Sequence, residues 1–269
     1  MSLLDDVTRA ATEAGDRLLS VWTPDARPAD RQQMRVAALR NEELSGGPLK
    51  EALTALRPDA GFAEDDLPPG GGAWWVVDNA EGSVNHVHGL TEWGVSVALI
   101  EDGRTRLAVF RRPIGDLTYT AARGHGAWLN GRRLAVSTKQ GLDIAVVGTG
   151  QAEAGQSRTY ERIGRSITAM LDRAFLVRAT VPSTFPMLLV AAGHMDAFWQ
   201  YQPVLPGVAT GALLVNEAGG LATTIDGRPW TPGSDTVLIA APGVHGPVRD
   251  VLNGETGLGE VTRATAAAG

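Results

Sequence analysis

The first twenty residues place Leu4, Val7, Ala11, Ala14, Leu18 and Val21 at intervals of three and four, with polar residues between them. That spacing predicts an amphipathic helix, because the α-helix repeats every 3.6 residues. A polar connection rich in Arg, Asp and Pro follows from Thr23 to about Arg35. A second helix is expected from near Ser45 or Pro48 to Leu56, with Leu49, Leu53 and Leu56 on one face and Pro58 beyond its end. After a Pro/Gly stretch, Trp74-Trp75-Val76-Val77 is too short for a helix and reads as a buried strand ending in polar Asp78. Segments 94–100 and 104–111 flank Glu101-Asp102-Gly103, a hairpin signal because the Asp-Gly pair tolerates positive φ. Strands 117–122 and 126–136 follow, separated by Gly124, with a turn at Asn130-Gly131. The first half therefore reads as helices followed by an antiparallel meander.

From about Gly141 the pattern alternates. Strand 144–148, helix 159–171, strand 175–178, helix 185–192, strand 195–199 and helix 208–218 come first, then strands 221–224 and 236–240 and helix 247–252. Such alternation predicts an α/β layer with some parallel strands. The chain divides by pattern into an α+β subdomain at 1–140 with an antiparallel sheet and an α/β subdomain at 141–255. Residues 256–269, poor in apolar periodicity, are expected to form a flexible tail.

Composition narrows the function classes. Apolar residues at 43% and charged residues at 20% of 269 are ordinary for a globular protein and exclude collagen-like and wholly disordered chains. A net charge of −6 argues against a general polyanion binder, so nucleic acid is not an expected partner. The absence of cysteine excludes disulfides, thiolate nucleophiles and iron–sulfur clusters and fits a reducing compartment. No stretch approaches the roughly 20 apolar residues of a membrane span. The expectation is a cytoplasmic enzyme acting on a small molecule, without membrane contact.

The sharpest local chemistry is Asp78-Asn79-Ala80-Glu81-Gly82-Ser83-Val84-Asn85, at the carboxyl end of the tryptophan strand. Carboxylates three residues apart across a tight turn can converge on one hard cation, with the Ala80 carbonyl as a further oxygen donor. The same spacing also fits a helix start, with Asp78 or Asn79 as cap and Glu81 completing a capping box. Upstream, Glu64-Asp65-Asp66 adds three acids. His86, just past the motif, is an acid/base candidate, and an isolated histidine is otherwise a hydrogen-bonded structural residue.

Taken together, residues 62–65 and 75–89, the run Gly124-His125-Gly126-Ala127-Trp128-Leu129-Asn130-Gly131, residues 192–199 and residues 211–220 resemble, in order, the motifs of the inositol monophosphatase-like, metal-dependent phosphatase family. The resemblance implies an α-β-α-β-α five-layer sandwich, commonly a homodimer, that uses Mg²⁺ to hydrolyse small phosphomonoesters. It assigns Asp78, Glu81, the Ala80 carbonyl and Asp65, or Glu64 in its place, to metal binding. Ser83 falls on the threonine that orients the attacking water and Gln200 where many relatives carry a glutamate that binds a substrate hydroxyl; Gly82, Ser83, Gln200 and Gly207 are the candidate substrate-binding residues.

Several of those positions depart from the family pattern. Gly207 stands where the family has an aspartate at a helix start that completes the second metal site, Gln200 where many relatives have a glutamate, and Glu42 is the nearest stand-in for an amino-terminal aspartate that helps activate the water. Glycine at 207 can also serve simply as an N-cap, or as a helix start that receives a substrate anion. Two Mg²⁺ would bring four positive charges against about three negative ones in the remaining shell. One ion, or none, is therefore expected. The leading expectation is a family member repurposed for cyclisation, isomerisation or elimination by acid/base chemistry. The alternatives are a Mg²⁺-dependent phosphomonoesterase on an inositol, sugar or nucleotide phosphate, and a non-catalytic binding or regulatory protein.

Overall fold

The computed structural model describes residues 2–68, 71–152 and 155–265, with side chains as far as residue 254. Helix α1 (Leu3–Leu19) starts at a capping box: Ser2 Oγ accepts from Asp5 N–H and the Asp5 carboxylate accepts from Ser2 N–H. It buries Val7, Ala10, Ala11, Ala14 and Leu18, the predicted stripe apart from half-buried Leu4 and Val21, which lies beyond the helix. Helix α2 (Arg31–Asn41) occupies part of the expected polar connection; Asp30 caps it by accepting from Gln33 N–H at 2.9 Å. A π-helical turn, Glu42–Gly46, leads into α3 (Gly47–Leu56).

Strands β1 (Gly61–Ala63), β2 (Ala73–Glu81), β3 (Gly94–Glu101), β4 (Arg104–Arg112), β5 (Leu117–Ala122), β6 (Ala127–Leu129) and β7 (Arg132–Arg133) form one sheet in chain order. All neighbouring pairs are antiparallel except β1–β2. The β3–β4 hairpin turns at Asp102 and Gly103, both at positive φ (49° and 72°), as the Asp-Gly pair predicts. The expected single strand 126–136 is broken at Asn130-Gly131 into β6 and β7.

The second sheet has β8 (Val146–Thr149), β9 (Leu176–Ala179), β10 (Ala197–Tyr201), β11 (Leu221–Thr223) and β12 (Thr236–Ala240) in the order β11-β12-β10-β8-β9. Strand β8 runs parallel to β9 and β10, and β12 runs antiparallel to its neighbours. Its helices are α5 (Ser157–Leu171), α6 (Thr184–Ala191), α7 (Leu205–Glu217) and α8 (Pro242–Thr265). The last runs well past the expected end at 252. The expected flexible tail, 256–269, falls outside the residues described in full.

Four apolar clusters among the described residues stack these elements into five layers, the fourth packing Leu205 and Ala209 of α7 on Val76, Ala98 and Ile100. Helices α6 and α7 fill the space between the sheets, burying Phe185, Met187, Leu188, Val208, Leu213 and Leu214 against Phe110, Tyr119, Phe198 and Ile239. Helices α1 and α3 cover the outer face of the first sheet, over Trp75, Val95, Val97 and Val109. Helices α5 and α8 cover the outer face of the second, over Val147, Trp199 and Leu238. Period-2 alternation explains the partition: Phe198 points to the central helices and Trp199 to the outer layer. Each such buried side chain contributes about 1.5–3 kcal/mol. The middle layer matters most for function, because it brings the amino-terminal ends of α6 and α7 to the edge where β2 ends.

Candidate functional site

Strand β2 extends through Asp78-Asn79-Ala80-Glu81, so these residues are not the start of a helix and the capping-box reading fails. Pairing with β3 overrides the local signal, with a bulge between the Asp78–Ser96 and Glu81–Gly94 pairs. Gly82 then turns the chain at φ 83° into the five-residue helix α4 (Ser83–Val87). A Cβ at Gly82 would lie 2.6 Å from the Glu92 carbonyl oxygen, so glycine is required on both grounds.

The bulge brings the Asp78 and Glu81 carboxyls into direct contact. Asp78 Oδ1 accepts from Ala80 N–H at 2.9 Å, which holds the turn. Glu81 is 5% exposed and accepts, at 3.4 Å, from the Thr184 N–H at the start of α6. Burial pushes its carboxyl well above the ordinary carboxylate range, the neighbouring Asp78 charge adds to the rise, and the Thr184 donors oppose it. Thr184 Oγ1 donates to the Gly207 carbonyl at 3.0 Å, linking the acidic pair through α6 to α7.

Gly207 is the third residue of α7, not its cap, which is Val204. The N-cap reading of Gly207 is therefore corrected: the helix begins two residues earlier, with Pro206 in its first turn. Ser183, at the N-cap position of α6, lies between Gly207 and Gln200. A Cβ at Gly207 would be 3.8 Å from Ser183 Cβ, and one at Gly150 would be 3.3 Å from Ser183 Oγ and 3.2 Å from Gln200 Oε1. Gln200 is buried; its amide donates to the Gln151 carbonyl at 3.5 Å and its Oε1 has no partner. The structure thus gathers Asp78, Glu81, Gly82, Gln200 and Gly207 around Ser183 and Thr184. Neither Ser183 nor Thr184 was singled out from the sequence, although Ser-Thr ahead of an apolar run is a helix-start signal.

The remaining expected residues lie otherwise. Ser83 is half-buried at the start of α4, directly after the pair. Glu64 and Asp65 are exposed beyond β1; the Asp65 carbonyl accepts from Leu205 N–H, and Asp65 lines a separate cleft with Gln202, Trp230 and Asp235. Glu42 is exposed and folds over Gly46 beside Asn79. His86 is buried on the far side of α4. Its Nε2–H donates to the Leu18 carbonyl at 3.1 Å, its Nδ1 accepts from Asn41 Nδ2–H at 3.0 Å, and Trp93 packs edge-on at 4.6 Å. Burial lowers its proton affinity, and both nitrogens are committed, an arrangement that suits a structural histidine.

Among the described residues no three His, Asp or Glu side chains gather as a metal-holding group. Two carboxylates with the Ala80 carbonyl between them, one of them buried without a cationic partner, suit a single hard divalent cation.

The five-layer sandwich is the fold of solved inositol monophosphatase structures. The chain matches the inositol monophosphatase family over residues 7–252 and belongs to it. It is 34% identical to an inositol-1-monophosphatase of Rhizobium meliloti over 192 residues, 69% of this chain and 72% of that protein. It is 33% identical to the Nus factor SuhB of Pseudomonas aeruginosa over 84% of this chain and 86% of that one. In fold it is similar to the Thermotoga maritima IMPase structure, with a TM-score of 0.79 at 24% identity over 95% of this chain and 98% of that one.

Proposed function

We propose that the chain is a phosphomonoesterase acting on a small, hydroxyl-rich phosphate such as an inositol, sugar or nucleotide monophosphate. The observation that carries this reading is the Asp78–Glu81 pair, in contact at the end of β2 and tied through Thr184 to the first turns of α6 and α7. Asp78, Glu81 and the Ala80 carbonyl would hold one Mg²⁺, which when bound polarises a phosphoryl oxygen and neutralises charge on the ester. The Phe185 N–H in the first turn of α6 and the Ser183 hydroxyl, which lies beside Gly207 and Gln200, receive the phosphate. Gln200 Oε1, buried and unpartnered, accepts a substrate hydroxyl. Ser83 positions the attacking water.

A second reading, metal-free acid/base chemistry on the same substrate class, is supported by one observation. Burial holds the Glu81 carboxyl protonated above the ordinary range, which suits a general acid, and residue 207 is glycine. Phosphate release from a panel of inositol, sugar and nucleotide monophosphates, with Mg²⁺ and with chelator, decides between them. Mg²⁺-dependent release supports the phosphatase; conversion without phosphate release supports the second reading. The partner carried by this proposal is a second copy of the chain. Edge strand β9 and its surroundings expose Ile144, Leu171, Phe175 (71% exposed) and Leu176, an apolar surface suited to a homodimer contact. No helix among the described residues is long and apolar enough to cross a membrane.

A further inference from the structure

A cavity of about 570 Å³ opens between α2, the 21–30 segment and α4, on the His86 side of α4. Its volume falls in the range of pockets that take small organic ligands, roughly 300–1,000 Å³. Val21, Ala26, Val36, Ala37 and Val87 give it apolar walls, and Val36 remains 60% exposed.

Two charged side chains line it, Asp30 and Arg40, at opposite ends of α2. Asp30 is committed as the cap of α2, accepting from Gln33 N–H at the positive end of that helix. His86 donates through Nε2 and accepts through Nδ1, the pattern of an uncharged imidazole. Arg40 lines the same cavity and, among the described residues, its guanidinium has no hydrogen bond or ion pair. The lining therefore carries a carboxylate engaged at the start of α2 and, at the other end of that helix, a guanidinium without a side-chain partner beside apolar walls.

We propose that this cavity is a second binding site, for an amphipathic monoanion: a carboxylate that pairs with Arg40 and an aliphatic tail that lies against Val21, Ala26, Val36 and Val87. The guanidinium fork matches a carboxylate, and the tail covers apolar surface now open to water. None of the acidic pair lines the cavity, so the site stands apart from the proposed phosphatase reaction.

Calorimetric titration of the full chain with decanoate below its micellar concentration, beside decylammonium and decanol, tests the proposal. Decanoate should bind one to one, and decylammonium should show no saturable binding. Arg40→Gln should weaken decanoate about tenfold, as expected for losing a charge-assisted hydrogen bond. Ala37→Trp, which fills the cavity, should abolish binding. Circular dichroism checks that each variant is folded, and Ala26→Phe replaces Ala37→Trp if the latter unfolds. Absence of decanoate binding, equal binding of decylammonium, or unchanged decanoate affinity in both the cavity-filling and the Arg40 variants would overturn it.

Discussion

Replacing Gly207 with aspartate puts a carboxylate on the first turn of α7, facing the Ser183–Thr184 corner of the site. Space permits it: a Cβ there would meet Val204 Cγ2 at 3.7 Å and Ser183 Cβ at 3.8 Å, both ordinary contacts. Loss of a helical glycine favours the fold by roughly 0.5–1 kcal/mol. An acid in the first turn gains about 0.3–1 kcal/mol from the helix dipole. Against this stands repulsion from the acidic Asp78–Glu81 pair, reached through the Thr184 link. Without metal the terms offset, and the melting temperature should stay within about 3 °C of wild type, as 1 kcal/mol corresponds to roughly 2–4 °C at this size. With Mg²⁺ the added carboxylate completes the donor set, and affinity should rise at least about tenfold, or ~1.4 kcal/mol. Scanning calorimetry with and without Mg²⁺, together with isothermal titration, measures both. A folded variant whose Mg²⁺ affinity equals that of wild type would refute the view that residue 207 faces the cation site.

The same geometry fixes three further outcomes. Glu81 is raised in the fold, so between its ordinary value of 4.5 and the raised one the native state holds a proton that the unfolded chain has lost. Stability without metal therefore falls as pH rises through that window. Glu81→Gln should abolish the fall and be the more stable protein at neutral pH; parallel urea-denaturation curves from pH 4 to 8 would contradict this. Gly82→Ala forces a Cβ into positive φ and against the Glu92 carbonyl. It should cost about 1–3 kcal/mol in thermal or urea unfolding, and an unchanged midpoint would count against the turn as described. For the homodimer proposed above, Phe175→Asp should sediment as a monomer in analytical ultracentrifugation with the fold intact; a mass equal to wild type would remove β9 as the contact.

Much of the fold can be read directly from the chain, and the exceptions have physical causes. Helix α1 shows an apolar stripe and a capping box, and the β3–β4 hairpin shows Asp102-Gly103, so local and tertiary preferences agree. Helix α2 is hidden because it has no apolar stripe: Val36 and Leu39 are 60% and 52% exposed. Strand β1 has three residues, too few to show alternation, and it forms by pairing with β2. At Asp78–Glu81 a strand ladder wins over a plausible helix cap, because continuing the pairing with β3 satisfies more backbone groups than a five-residue helix could. The acidic pair itself was visible as a motif. Its companions Ser183 and Thr184 were not, since their role depends on α6 arriving at the end of β2 from a distant part of the chain. His86 looked like chemistry because it follows the motif, but one turn of α4 carries it to Leu18 and Asn41 on the other side.

The most direct test of the acidic pair as the reaction centre is anomalous diffraction from crystals equilibrated with Mn²⁺ in place of Mg²⁺. One peak in contact with Asp78, Glu81 and the Ala80 carbonyl is the predicted result. Two peaks of equal strength, or one seated on other residues with the Asp78–Glu81 pair empty, would contradict it.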